Sequence, residues 1–434
     1  MQTARSPDDA AALRRGPFVL SVLAVVYVAN TVDRQILSVL LEAIKLDLGA
    51  SDSMMGLLVG PAFAFVYAFT GIPIARLADR HSRVVIISVG LTVWSVLTAA
   101  CGLVQSFSAL ALMRVGVGIG EASSTPSAHS MISDYFPPTR RATALAIYSM
   151  GANVGSLFGF LIGGWIAELF GWRNAFIVVG LPGVALALFV WMTVREPRRG
   201  LSEDARAPAT SDSAAPVIPF REVLRHLAGL PSFRHLAIMG GLFAIAVFSL
   251  LSWSATFLQR VHGMSPGESG SWLGPIIGLG LAVGTFLSGT LSDRLGARDV
   301  RWQLWIAVIG GIIAVPFLFL FLVLPNPQHA LIALIPAMVA FPLHVAALYA
   351  LTQALAPILM RAQAAAVMLF ILNFVGNGIG SWSVGIASDL LSGRFGRDSL
   401  RYALSITLVA TLWACVHAML AARSVREDLE RVST

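Results

Sequence analysis

Charge is scarce in this chain. Only 12% of its 434 residues are Asp, Glu, Lys or Arg, while 56% are hydrophobic; a soluble domain carries about 25% charged residues. The mean hydropathy is +0.77. A water-facing surface cannot be covered from that supply, so soluble enzymes, disordered scaffolds and nucleic-acid binders are excluded and a polytopic membrane protein is implied. Lysine is nearly absent: Lys45 is the one lysine among 30 basic residues. The arginines sit mostly in short loops between apolar runs, which is a topology signal rather than a phosphate-tracking stripe, and the net charge of +7 implies no nucleic-acid partner. Cysteine is limited to Cys101 and Cys415, far apart within apolar runs, so neither a disulfide framework nor a metal site is implied. A cleavable signal is not expected either. Residues 1–16 are polar, and the apolar run after them is too long for a signal core.

What is present is a succession of uncharged stretches, each near the roughly 20 residues that a membrane-spanning helix requires. The stretch 302–360 has no charge over 59 residues, and Pro325-Asn326-Pro327 divides it, because proline cannot continue a helix. The pattern predicts an all-α protein of twelve transmembrane helices in two six-helix bundles. The spans are expected at 18–45, 53–78, 84–104, 107–134, 141–169, 174–194, 235–260, 268–292, 302–324, 329–357, 362–391 and 400–422. The expected domains are an N-terminal tail at 1–17, a first bundle at 18–194, a polar linker at 195–234, a second bundle at 235–422 and a C-terminal tail at 423–434. Loops on the side of the termini hold 22 basic residues and the opposite loops hold 6. Both termini are therefore expected in the cytoplasm. The linker reads as a flexible tether or, near Phe220–Leu230, as an amphipathic stretch on the membrane surface.

Two loops repeat each other. Gly71-Ile-Pro-Ile-Ala-Arg-Leu-Ala-Asp79-Arg80-His-Ser-Arg83 follows the second span, and Gly289-Thr-Leu-Ser-Asp293-Arg294-Leu-Gly-Ala-Arg298 follows the eighth, with Asp79 and Asp293 separated by 214 residues. Parallel halves joined by a linker are a mark of two-bundle secondary transporters. The first loop resembles the signature loop of the major facilitator superfamily, G-x-L-a-D-r-x-G-R-r, and departs from it at His81 and Ser82. Arg114-Val-Gly116-Val-Gly118-Ile-Gly120-Glu121-Ala122 is similar to the family's R-x-x-x-G-x-G-x-A pattern. The resemblance covers essentially the full length. Asn30-Thr-Val-Asp33-Arg34, Gly120-Glu121-Ala122-Ser123 and Ser133-Asp134-Tyr-Phe-Pro look like the spinster-like branch, whose animal members move lysophospholipids and sphingosine phosphate. The anion:cation symporters of organic and sugar acids share an Asp-Arg in helix one and a Glu in helix four. The resemblance implies a conformational latch built from Gly71, Asp79, Arg80, Arg83, Asp134, Asp293 and Arg294. In it Asp79 meets the N-terminus of the eleventh helix and Arg83 pairs with Asp134. Topology-setting charge is the plainer alternative for the same residues.

Charged residues deep in the spans all lie in the first half: Asp33, Arg34, Arg114 and Glu121. Such groups are costly in lipid and by default functional or paired. Arg114 and Glu121, seven residues apart, share one helix face, and the glycines between them let another helix approach closely. Asp33 and Glu121 are the candidate proton carriers, since burial disfavours their charge and a neighbouring arginine favours it. Arg34 and Arg114 are the candidate anchors for an anionic substrate group. A fixed structural ion-pair cluster is the alternative. The second half offers Tyr349, Phe370, Asn373 and Asn377 as candidate substrate contacts, beside Trp253, Phe257, Phe374 and Trp382; for any one aromatic, ordinary packing explains its presence, and His344 reads as a packing residue. Glycines at 151, 155, 159 and 163 repeat every four residues, the pattern of close helix packing rather than nucleotide binding. No Walker motif occurs, so ATP drive is not expected.

These features lead to one expectation: a non-enzymatic, proton-coupled secondary transporter in a bacterial inner membrane. Its partners would be a small amphiphilic or anionic substrate, protons and membrane lipids. It would use no cofactor and act as a monomer. A carrier of small organic or sugar acids is the competing expectation, and a non-transporting receptor or scaffold the third.

Overall fold

The computed structural model describes residues 13–202 and 218–433. The first part of the expected N-terminal tail, the middle of the expected linker and Thr434 lie outside the described residues. The helices are α1 (Gly16–Leu48), α2 (Asp52–Val59), α3 (Pro61–Arg80), α4 (Arg83–Cys101), α5 (Phe107–Glu121), α6 (Ser124–Tyr135), α7 (Pro138–Thr193), α8 (Phe220–Gly229), α9 (Pro231–His262), α10 (Pro266–Gly296), α11 (Arg301–Val323), α12 (Pro327–Ala340), α13 (Val345–Ala354), α14 (Arg361–Ile371), α15 (Ser381–Phe395), α16 (Ser399–Leu404) and α17 (Ile406–Ser433). A 3-10 turn at Phe341–His344 joins α12 to α13, and a π-helical stretch at Leu372–Gly380 joins α14 to α15.

Nine continuous helical stretches among the described residues are long and apolar enough to cross a membrane. Two of them are double. Gly171, at φ 81°, breaks α7 into an outgoing and a returning span, and Gly396, at φ 54°, does so for the stretch from Ile358 to Val432. Only glycine takes such angles cheaply. The helices α5 and α6, bent at Ala122-Ser123, supply a further crossing, so the described residues make twelve.

Boundary signals explain where the helices begin. Ser82, Ser106 and Asn326 accept hydrogen bonds from the first-turn amides of α4, α5 and α12. Ser265 and Glu268 form a reciprocal capping box on α10, with both bonds at 3.1 Å. Pro231, Pro266 and Pro327 open helices at positions where no amide is needed.

Four spans expected as continuous are interrupted: one in its first third, at Gly60-Pro61, and three near their middles, at Ala122-Ser123, at the 3-10 turn containing Pro342, and along the π stretch. At Ala122-Ser123 the Ser123 hydroxyl turns back to the Gly120 carbonyl at 2.7 Å. Interruptions of this kind commonly mark functional hinges.

Grouped by contacts, the chain forms two compact units. The first takes the described parts of Met1–Ile36, Phe65–Gly159 and Ile166–Val217; the second takes Leu37–Ala64, Phe160–Trp165 and Ile218–Thr434. The grouping cuts across the two sequence halves, because the end of α1, all of α2 and a short middle segment of α7, Phe160–Trp165, group with the second half.

Within the first unit, α1, α4, α6 and α7 enclose a core around Leu23, Val26, Leu91, Trp94, Met131 and Tyr148. The glycine repeat of α7 faces α1: a Cβ at Gly155 would stand 2.6 Å from the Thr31 Cβ, and one at Gly159 would stand 2.7 Å from the Gln35 Cβ. In the second unit, Gly376 and Gly380 of the π stretch lie against Ala244 and Ile245 of α9 in the same way. Close approach of this kind is what packs helices where lipid removes the hydrophobic drive.

The last helix runs past the expected end of the twelfth span. Asp428 is buried there and accepts from both the backbone amide (2.9 Å) and the hydroxyl (2.6 Å) of Ser232, at the start of α9. It therefore caps a transmembrane helix from a segment expected to be a tail. Asp428→Ala should lower stability by about 1–2 kcal/mol, the usual value of a lost cap, and thermal unfolding in detergent measures the drop.

Candidate functional site

The four intramembrane charges all fall in the first unit and resolve into two pairs. Asp33 and Arg34 are neighbours on α1, whose 3.6-residue period points them about 100° apart. Arg114 and Glu121 lie on α5, two turns apart on one face. Arg114 donates from Nη1 to both carboxylate oxygens of Asp33, at 3.2 and 3.3 Å, and both residues are buried. Thr98 of α4 donates to Asp33 Oδ1 at 2.9 Å. Arg34 donates from Nε to Glu121 Oε2 at 2.6 Å, and its guanidinium carbon lies 5.0 Å from the centre of the Tyr67 ring on α3. Glu121 is fully buried, and the Arg34 side chain is 34% exposed. The pairs are neighbours electrostatically, since Glu121 interacts with Arg34, Asp33 and Arg114.

Two polar atoms at the centre of this group are buried without a hydrogen-bond partner, Arg114 Nε and Glu121 Oε1; nearby on α1 and α6, Asn30 Nδ2 and Ser127 Oγ are in the same condition. Unmet polar atoms are costly in an apolar setting and mark places where a further ligand, water or proton is accommodated. The glycines of α5 make the cluster possible. A Cβ at Gly120 would sit 2.9 Å from Trp94, and one at Gly116 would sit 2.6 Å from Leu97. Larger residues would push α4, and Thr98 with it, away from Asp33.

Tyr349, Phe370, Asn373 and Asn377 belong to the second unit. Tyr349 and Phe370 are exposed, and Phe370 stacks on Phe374 with ring centres 5.4 Å apart. Asn373 donates to its own helix at Leu369, at 2.9 Å, and half-buried Asn377 lies within the π stretch. That irregular stretch is backed by Gly60, where a Cβ would lie 2.9 Å from the Asn377 carbonyl. His344 packs flat on Phe243, with ring centres 4.2 Å apart, and bonds to the Phe341 carbonyl at 2.8 Å.

The signature loop is split between buried and exposed residues. Arg83 is buried and pairs with Asp134. It also donates to Ser130 Oγ at 2.8 Å, to Glu196 Oε1 at 2.7 Å and to the Pro197 carbonyl at 3.0 Å. Glu196, which sequence reasoning did not single out, also caps α4 by accepting from the Val84 amide at 3.0 Å. Gly71 has open space where a side chain would be. Asp79, Arg80, Asp293 and Arg294 are exposed and make no side-chain hydrogen bond or ion pair among the described residues.

At the opposite end of the spans the second unit holds a charged cluster that the sequence did not reveal. Arg260 of α9 donates to Glu42 at 2.5 to 3.1 Å and to both oxygens of Asp52, at 2.6 and 2.7 Å. Lys45 adds a 2.7 Å bond to Asp52, and Asp389 of α15 accepts from the Asp52 and Ser53 amides at 3.0 and 2.7 Å. The partners of Arg260 stand more than 200 residues away in the sequence. One signal was available: acids at both ends of the first loop, in a chain otherwise poor in charge.

Comparison with known proteins adds four relationships. The model of the family described as Major Facilitator Superfamily matches residues 23–381. An MFS-type efflux pump of Mycolicibacterium smegmatis is 36% identical over 417 residues, covering 96% of this chain and 95% of that protein. A probable galactarate/D-glucarate transporter of Bacillus subtilis is 27% identical over 322 residues, covering 68% and 69%. Among solved structures, a bacterial homologue of the human lysosomal transporter Spinster, crystallised inward-facing and unoccupied, superposes with a TM-score of 0.86 at 32% identity, covering 98% of this chain and 99% of that one.

Truncating Arg114 leaves Asp33 as a buried charge without its cation. Arg114→Ala should therefore cost about 3–5 kcal/mol of stability. Arg114→Lys, which keeps the charge and loses the fork, should cost less. Parallel melting curves of the two variants measure the difference.

Proposed function

The chain belongs to the major facilitator superfamily of secondary transporters, and from that premise we propose that it is a proton-coupled carrier of an amphiphilic organic anion, working by alternating access. One observation carries this reading: two carboxylates and two guanidiniums, paired crosswise in an apolar interior, with buried polar atoms still unmet. The proposed chemistry is an exchange of partners. An anionic head group competes with Glu121 for the partly exposed Arg34, and with Asp33 for Arg114, because a guanidinium donates to phosphate as readily as to carboxylate. A carboxylate that loses its cation in a low-dielectric site is neutralised by a proton. Substrate and proton occupancy are thereby linked through Asp33 and Glu121.

Tyr349, Phe370, Asn373 and Asn377 are proposed as contacts for the less polar part of the substrate, with the π stretch as the backbone that moves. The arginine-rich ends are proposed to face the cytoplasm, in keeping with the distribution of basic residues, in a bacterial inner membrane. On that orientation Arg83 with Asp134 is proposed as the core of a cytoplasmic latch, with Asp79, Arg80, Asp293 and Arg294, which make no side-chain bond among the described residues, as its further proposed members, and Arg260 with Glu42 and Asp52 as its exterior counterpart. The motif resemblance to the spinster-like branch, whose animal members move lysophospholipids, supports an amphiphilic substrate. The galactarate/D-glucarate relative supports a second reading, a carrier of small sugar acids, which competition between lysophospholipid and glucarate for binding separates.

Asp33→Asn tests the coupling. Asparagine keeps the shape and removes the titrating proton, so gradient-driven accumulation in proteoliposomes should vanish while substrate still binds. Wild-type coupling in this variant would remove Asp33 from the mechanism. Loss of folding, read as a fall in melting temperature with loss of binding, would make it a structural counter-ion instead.

A further inference from the structure

The helix α8 stands outside the transport account. It ends at Gly229, and α9, which is long and apolar enough to cross a membrane, begins at Pro231, so α8 is joined directly to the end of a span. Val223 and Leu227 are buried against the protein, where α8 packs on α9 and α14. Two bonds fix its orientation: Gln363 of α14 donates to the Ile218 carbonyl at 3.1 Å, and the His226 ring lies 3.3 Å from the Leu355 carbonyl. The side next to the buried face is apolar but not covered among the described residues. Phe220 is 54% and Leu224 41% exposed, one turn apart on the same stripe. Arg221 and Arg225 are exposed and project roughly 100° further round the helix. Arg234, in the first turn of α9, is exposed as well, and Glu222 is the one acid on α8.

An apolar pair bordered by arginines at the end of a span is complementary to anionic lipid, with rings and aliphatic carbons entering the acyl boundary and guanidiniums meeting phosphate. The geometry points to α8 as a docking surface for an anionic lipid leaflet, with Phe220 and Leu224 inserted and Arg221 and Arg225 on the head groups. Because α8 is bonded to α14 and to the end of α13, lipid charge would act on the elements that flank the π stretch. The inference needs only that the chain spans a membrane, not that it carries any particular substrate.

The test places a nitroxide label on the full-length protein at Leu224→Cys or, separately, at Glu222→Cys. Cys101 and Cys415 are buried, so the introduced thiol is the reactive one. The protein is reconstituted in phosphatidylcholine vesicles with and without phosphatidylglycerol, and accessibility to oxygen is compared with accessibility to a water-soluble nickel reagent. The label at 224 should favour oxygen several-fold and the label at 222 should favour nickel. Phosphatidylglycerol should increase the contrast, and Arg221→Gln with Arg225→Gln should abolish that increase. Equal aqueous accessibility at 222 and 224 would overturn the docking surface. So would protection of 224 from both reagents, the result expected if residues 203–217 cover it. A contrast indifferent to phosphatidylglycerol and to the arginines would overturn the recognition of anionic lipid.

Discussion

The structure turns on the cost of an unpaired charge in a medium that cannot solvate it. An isolated carboxylate or guanidinium within an apolar bundle costs several kcal/mol, and pairing recovers that only when the geometry is good. Asp33 with Arg114, and Arg34 with Glu121, meet the condition by bringing α1 and α5 together. Everything around them serves the approach: the glycines at 116 and 120 admit α4, and Thr98 on α4 supplies the third bond to Asp33. The arrangement is less than fully satisfied, with Arg114 Nε and Glu121 Oε1 unmet. Such gaps leave room for a further ligand, water or proton, as the proposed exchange of partners needs.

The same constraint acts at the two ends of the spans with a different outcome. Arg83 is buried at the end nearest the termini, with two carboxylates, a serine and a carbonyl around it. Arg260 is held at the opposite end by Glu42 and Asp52. Each is an arginine using several donors at once, which a lysine could not reproduce. Such clusters are cohesive in an apolar setting and well hydrated in water, which is the ground on which the latches are proposed at these two places. The interrupted helices fit the same picture: the bends at Gly60, at Ala122-Ser123 and through the π stretch divide long spans into parts that can tilt separately.

Much of this was legible in the sequence, for a definite reason. Charge inside an apolar span stands out, so Asp33, Arg34, Arg114 and Glu121 identified themselves, and the glycine repeat announced close packing. The repeated Asp-Arg loops pointed to two sequence halves. What the sequence withheld was pairing. Nothing in the spacing says that Asp33 takes Arg114 while Arg34 takes Glu121, or that Arg260 reaches back to Glu42. Those choices depend on helix rotation and long-range approach. Helix interruptions were missed because composition alone does not distinguish a bent span from a straight one, as at Ala122-Ser123. Asp428 read as part of a polar tail because a buried cap and a solvated acid look alike in one dimension. The compact units cut across the sequence halves because contacts follow space rather than chain order.

The central claim is that substrate and proton occupancy are linked through the Asp33–Arg114 and Arg34–Glu121 pairs. The most direct measurement is proton movement driven by substrate alone. The wild-type protein would be sealed into vesicles carrying a pH-sensitive dye, with no imposed proton gradient, and given an inward gradient of lysophospholipid or, separately, of glucarate. The account predicts a change of internal pH with the amphiphile, abolished by a protonophore. Substrate entry with no accompanying proton flux would contradict it.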